Sequence, residues 1–187
     1  FESFPDLDRS RVVRTGWPFE YMDNTLTMYK GMTKRDLILF PHRIAPEKQV
    51  EIFRDLADQL PQYEWVVCQD RQLSKNEYHN LLGEAKLVFS ANLQETLGIS
   101  WYEGGVVGAL PMVPDRLSYT EMGLLPFKYP SEWTIDWNRY MSNREALKER
   151  VIDYIENYKK FLPSLNKQVD VLNEKYFSCK SLLEKLQ

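Results

Sequence analysis

The chain has 187 residues, 43% of them hydrophobic, 27% charged and 13% aromatic, a length and composition that fit one globular domain with room for a short appendage. It is long enough to bury roughly 70% of the surface its unfolded form exposes, so folding needs no metal or disulfide staple. Twenty-four basic residues against twenty-seven acidic ones leave a net charge of −3, which gives no overall footprint for nucleic acid or an anionic membrane.

Cys68 and Cys179 lie far apart and outside any CxxC or Cys/His cluster, which argues against a disulfide framework and a zinc site and favours a reducing, cytoplasmic setting. No apolar run approaches the roughly 18 to 20 residues that span a bilayer. The chain begins at Phe1 and not at methionine, so its start reads as a cut.

From Asp36 to Val113, short apolar runs alternate with stretches of helical period, the signature of a βαβ array and a mainly parallel sheet. Leu37 to Phe40 form the first strand, stopped by Pro41. Pro46 then opens a helix with Val50, Phe53, Leu56, Ala57 and Leu60 on one face. Trp65 to Cys68 is a second strand. Ser74 with Glu77 forms a capping box before a short helix through Tyr78, Leu81 and Leu82, and Lys86 to Ser90 is a third strand. A helical segment over Gly98 to Gly108 and a fourth strand near Leu110 to Val113 follow.

Ser118 with Glu121, and Ser142 with Glu145, read as further capping boxes. Between them, Phe127, Tyr129, Pro130, Trp133 and Trp137 mark an irregular aromatic stretch. Leu147, Val151, Tyr154, Tyr158 and Leu162 then line one helix that Pro163 ends. In the tail, Leu165, Val169, Leu172, Tyr176, Cys179, Leu183 and Leu186 alternate by fours and threes. That spacing suits a coiled-coil seam or, more simply, one amphipathic helix lying on its own domain or a neighbour.

The chemistry concentrates in two places. Glu95 stands just before a helix that starts near Thr96 to Gly98, whose free N–H groups and positive dipole end suit an anion, and Glu103 falls eight positions on, about two turns inside. Carboxylates so placed suit sugar diols, because each accepts charge-assisted hydrogen bonds. Upstream, Arg43 and Lys48 flank a helix start at the carboxyl edge of the sheet, where two cations converge on a diphosphate. His42 beside them is a donor contact or a scaffold group.

The pattern Arg43-x-x-Pro46-Glu47-Lys48 after a strand, then Glu95 and Glu103 with seven residues between them, then Gly108-Ala-Leu-Pro-Met-Val-Pro, resembles the carboxyl-terminal domain of retaining GT-B glycosyltransferases similar to glycogen synthase and bacterial mannosyltransferases. The resemblance covers about Arg11 to Glu121. It implies half of a GT-B fold: a Rossmann-like α/β domain over 33–140 with helices on both faces, two extra C-terminal helices over 141–187, and 1–32 as linker or end of a missing amino-terminal domain. It also implies transfer of a sugar from a nucleotide-diphosphate sugar with retention, by a fragment inactive alone. In that scheme Arg43 and Lys48 hold the departing diphosphate without a metal, Glu95 contacts the transferred sugar, the amides of Thr96, Leu97 and Gly98 lie near sugar and phosphate, and Glu103 binds the ribose.

Between Asp70 and Ser74 the chain lacks the strand–helix unit that many relatives place at the base, so the base stays open. The segment Pro114-Asp-Arg-Leu-Ser-Tyr-Thr-Glu121 is closer to enzymes that modify queuosine in tRNA and to phage-type relatives, so a nucleic-acid acceptor is among the candidates, although the charge does not point to one. A non-catalytic nucleotide-sugar-binding module and a GT-B sugar epimerase are the alternative readings. His79 reads as a surface residue, Asp6-Leu7-Asp8 as a chance DxD in a leader without a strand, and Arg9, Arg11 and Arg14 as a solvated cluster.

Overall fold

The computed structural model describes Asp8 and residues 16–186; the Asp6-Leu7-Asp8 and Arg9, Arg11, Arg14 readings fall largely or wholly outside them. Five strands, β1 (Arg35–Phe40), β2 (Glu64–Val67), β3 (Ala85–Phe89), β4 (Leu110–Pro114) and β5 (Lys128–Tyr129), form one sheet in the order β2-β1-β3-β4-β5. Every pairing is parallel. The expected α/β sheet is therefore present, with β5 added to it from the stretch read as irregular.

Side chains alternate between two cores, one on each face. Leu37, Leu39 and Val88 point into the first, with Trp101 and Tyr102; Ile38, Phe40, Leu87 and Phe89 point into the second, with Phe53 and Leu147. Leu37 through Phe40 are each 0% exposed, and burying each contributes about 1.5–3 kcal/mol. Helices cover both faces, as expected: α2 (Val50–Gln59) and α6 (Trp137–Glu156) lie over the second core, and α3 (Lys75–Glu84) and α4 (Ile99–Val106) over the first. On that same side α1 (Glu20–Leu26) packs against α4, so Phe19, Met22, Leu26 and Tyr29, from the segment read as a linker, are buried in this domain.

Three expected boundaries shift. Ser74 and Glu77 do form a capping box at α3, but Ser118 is the first residue of α5 (Ser118–Met122), whose N-cap Leu117 makes no side-chain bond. Ser142 and Glu145 lie inside α6, which Asp136 caps instead by accepting from the Arg139 amide at 2.8 Å. Pro163 ends nothing: α6 stops at Glu156, and Pro163 sits in the second turn of α7 (Tyr158–Lys175). Early in a helix a proline removes only one backbone bond, which tertiary packing offsets.

The tail stripe packs at home. Leu165 and Leu172 are each 1% exposed, α7 ends at Lys175, and Leu183 on the short α8 (Lys180–Leu186) is 53% exposed, so the described residues form no continuous seam for a coiled coil. Gly104 and Gly105 let α4 sit between the sheet and α7: an added Cβ would lie 2.8 Å from Val88 Cγ2 at Gly104 and 3.2 Å from Val169 Cγ2 at Gly105. Among the described residues no helix is long and apolar enough to cross a membrane.

Candidate functional site

In the order β2-β1-β3-β4-β5 the direction of winding reverses between β1 and β3, and a parallel sheet opens a crevice at the carboxyl ends of such a pair. The loops leaving these strands are locked together. Pro46–Lys48 form a 3₁₀ turn separate from α2, and Gln49 adopts a left-handed backbone, φ 53°, that turns the chain back. Buried Gln49 holds this conformation by donating its side-chain amide to the carbonyls of Ala91 at 2.5 Å and Thr134 at 2.7 Å. The Leu93 amide donates to Glu47 O at 2.7 Å.

This folding turns Lys48 towards the β3 loop. Its ammonium donates to Gln94 O at 2.6 Å and pairs with Glu95 Oε2 at 3.2 Å, with only 12% of the Lys48 side chain exposed. Asn92 donates to the same Glu95 oxygen at 2.9 Å, while the amides of Thr96 and Gly98 donate to Oε1 at 3.0 and 3.1 Å. Two of the three backbone amides expected to face a ligand, those of Thr96 and Gly98, therefore hold Glu95's own carboxylate. Burial pushes the Glu95 carboxyl up, but Lys48 and the two amides outweigh it and hold the group below its ordinary value.

A buried polar layer supports this cluster. Asn92 also donates to Tyr119 OH at 3.1 Å, Tyr119 OH lies 3.2 Å from Ser90 Oγ, and Tyr129 OH donates to Ser90 O at 2.7 Å. Asn92, Tyr119 and Tyr129 were not read from the sequence as site residues. A polar residue just past a buried strand, as Asn92 is, was the available signal.

His42 is buried against Phe40 edge-to-face, 3.5 Å from Asn92 through Nδ1, and its Nε2 has no hydrogen-bond partner among the described residues. Burial and the Lys48 charge lower it to about 4, against the pull of Glu95 and the Phe89 backbone. An unfolded histidine takes its proton near 6.5 and this one only near 4, so the native state binds fewer protons between those values and loses stability as pH falls through that window. Buried His79 is lowered by burial and Lys75 and adds in the same sense. Melts from pH 7 to pH 4 are expected to show a smaller loss for His42→Gln than for the wild type; equal losses would contradict this assignment.

Arg43 faces outward, 71% exposed, and pairs with Glu47 four residues on, so the structure does not bring it to the Lys48–Glu95 cluster. It borders a cavity of about 560 Å³ that Pro41, His42, Gln69 and Tyr78 also line. Glu103 is the fifth residue of α4, which starts at Ile99, so it lies about one turn inside and not two. It accepts from Tyr78 OH at 3.0 Å, and burial raises its carboxyl against that bond and Lys75. His79, expected at the surface, is 1% exposed and 3.9 Å from Glu103, because α3 turns that face inward beneath Tyr29. Leu97 packs against the first core. Among the described residues no three His, Cys, Asp or Glu side chains gather as a metal site.

No family model and no curated protein matches the sequence. Solved structures do match. A crystal structure of TarM superposes with a TM-score of 0.62 over 94% of this chain at 14% identity. A variant of S. aureus TarM in complex with fondaparinux, alpha-GlcNAc-glycerol and UDP gives 0.62 over 84% at 16%. The pneumococcal O-GlcNAc transferase GtfA in complex with UDP and GlcNAc gives 0.58 over 84% at 14%. The chain spans only 36% of each of these proteins. They are GT-B-type glycosyltransferases, and the likeness is one of fold: the parallel α/β domain here is built as part of a GT-B enzyme is built.

Proposed function

We propose that the chain is the donor-binding half of a retaining glycosyltransferase, which binds a nucleotide-diphosphate sugar and delivers the sugar to an acceptor presented by a second domain. The observation that carries this reading is the convergence of Lys48, Glu95 and the Thr96 and Gly98 amides at the β1/β3 crevice of a GT-B-like fold. An ammonium and two amides that already hold a carboxylate are equipped to hold phosphate oxygens.

In this reading the donor's diphosphate displaces Glu95 from part of that nest, and Glu95 turns its carboxylate to the hydroxyls of the transferred sugar. Arg43 exchanges Glu47 for phosphate. Neutral His42 offers an imidazole proton to the donor, and Glu103, steadied by Tyr78, takes the ribose diol. As the bond from the anomeric carbon to the diphosphate breaks, the acceptor oxygen bonds to the same face and its proton passes to the departing phosphate oxygen, while Lys48 with Arg43 offsets the charge on the diphosphate without a metal. A cytoplasmic location and a hexosyl donor belong to the same proposal. Without its second domain the chain binds donor but does not turn over.

UDP, present in two of the matching structures, is the first ligand to test. Calorimetric titration of the chain with UDP, GDP and ADP is expected to give saturable binding of one diphosphate, with its nucleoside about tenfold weaker or more. No binding of any of them at millimolar concentration would overturn the reading, and transfer or epimerisation by the chain alone would contradict its role as one half.

A further inference from the structure

Gln49 is buried, 4% exposed, so it meets no ligand directly, yet it stands between the two halves of the nest. Its backbone carries Lys48 on one side and α2 on the other. Its side chain grips the β3 loop at Ala91, next to the Asn92 that holds Glu95. At φ 53°, ψ 49° it takes the left-handed conformation that glycine reaches freely and a residue with a side chain reaches only at a cost. For the turn alone, glycine would be the more stable choice. The Gln49 side chain therefore offsets that cost through what it bonds, and strain of this kind persists where the surroundings over-determine it.

Those surroundings form a closed ring. The Gln49 amide donates to Ala91 O at 2.5 Å and to Thr134 O at 2.7 Å. Thr134 is 0% exposed, and its Oγ1, which accepts from Arg116 Nη2, lies 3.2 Å from Tyr129 OH. Tyr129 OH donates its one proton to Ser90 O at 2.7 Å, so the Thr134 hydroxyl is the donor between the two. Ser90 and Ala91 are neighbours in the chain, which closes the ring at the Gln49 amide. The Pro46–Lys48 turn, the β3 loop and the loop before α6 are thus fixed to one another at a single side chain.

We propose that Gln49 is a positioning residue of the donor site: it sets the register between Lys48 and Glu95 and, through Lys48, the affinity for a nucleoside diphosphate. The Lys48 ammonium reaches Gln94 O at 2.6 Å and Glu95 Oε2 at 3.2 Å only while the turn that carries it and the loop that carries its partners keep their spacing. The register stands on these bonds; the effect on affinity rests on the donor-binding reading.

Gln49→Met keeps the length of the side chain and removes both donors, whereas Gln49→Gly keeps the left-handed backbone and removes the side chain. UDP calorimetry and carbon NMR of the labelled Glu95 carboxyl read both variants, alone and combined with Lys48→Ala. Each is expected to weaken UDP binding about tenfold, the lower end of what removing the partner of a ligating side chain costs a metal site, and to let the Glu95 carboxyl titrate higher. Added to Lys48→Ala, neither is expected to change UDP affinity by more than about twofold, because Gln49 acts through Lys48. A merely structural role gives the same factor in both backgrounds, and that additivity would overturn the proposal, as would wild-type affinity in Gln49→Met. Should the wild-type chain bind no UDP, the donor reading fails by itself and the Glu95 titration still decides: an unmoved titration in Gln49→Met would overturn the positioning role, and an upward one would uphold it.

Discussion

Replacing Lys48 by alanine is expected to weaken nucleoside diphosphate binding about ten- to a hundredfold, since one charge-assisted hydrogen bond contributes about 1.5–3 kcal/mol. The effect has two sources. The ammonium that meets the diphosphate is lost, and the Glu95 carboxylate, of which 16% is exposed, loses the cation that offsets its desolvation. Without Lys48 the carboxyl of Glu95 returns upward from its lowered value, which carbon NMR of the labelled side chain reads directly. Arg43→Ala is expected to cost less in the unliganded protein, because Arg43 is largely in solvent and gives up only an exposed pair with Glu47. Equal affinity in wild type and Lys48→Ala would remove Lys48 from the site.

The second large effect is expected at Gly98. This residue has φ +68°, the left-handed region that costs a side-chain-bearing residue about 1–2 kcal/mol. An added Cβ would also lie 2.4 Å from Trp101 Nε1 and 3.0 Å from Tyr119 Cε1, both side chains fully buried. Gly98→Ala must therefore shift the start of α4 or displace Trp101 and Tyr119, and Tyr119 belongs to the polar layer under Glu95. A loss of about 2 kcal/mol or more is expected, lowering Tm by about 4–8 °C, with donor binding impaired. Gly31→Ala isolates the backbone part of the effect, since Gly31 has φ +76° and nothing within 4 Å of an added Cβ. Calorimetric melts that rank the two variants equally would show that the Trp101 and Tyr119 contacts carry no weight.

The strands β1 to β4 were legible because a parallel strand covered on both faces is a short unbroken apolar run, and Leu37 to Phe40 are such a run. β5 escaped notice because two residues, Lys128 and Tyr129, carry no periodicity; their pairing with β4 is a tertiary fact. The division between α6 and α7 was hidden because the apolar spacing runs unbroken through Tyr154, Tyr158 and Leu162 while Asn157, the hinge, is an ordinary surface residue type. Ser142 looked like a cap only because Asp136, six residues earlier, was overlooked.

At the site, Lys48 and Glu95 were readable as charges in the loops that follow two strand ends, and they pair, whereas Arg43 pairs with Glu47 and Glu103 with Tyr78. What holds Lys48 and Glu95 in place was not readable. Asn92 meets Tyr119 across 27 positions and Gln49 meets Thr134 across 85, and no local pattern marks such pairs. His79 was misjudged for a related reason: its helix turns a polar residue into the core, beside Glu103 and the Tyr29 ring.

Whether the Lys48–Glu95 nest holds a diphosphate is decided by a crystal structure of the chain grown with UDP. Phosphate oxygens are expected within hydrogen-bond distance of Lys48 Nζ and of the Thr96 or Gly98 amide, with the Glu95 carboxylate moved off at least one of those amides. UDP bound elsewhere, or a Glu95 carboxylate still holding all its present partners beside bound UDP, would contradict that expectation.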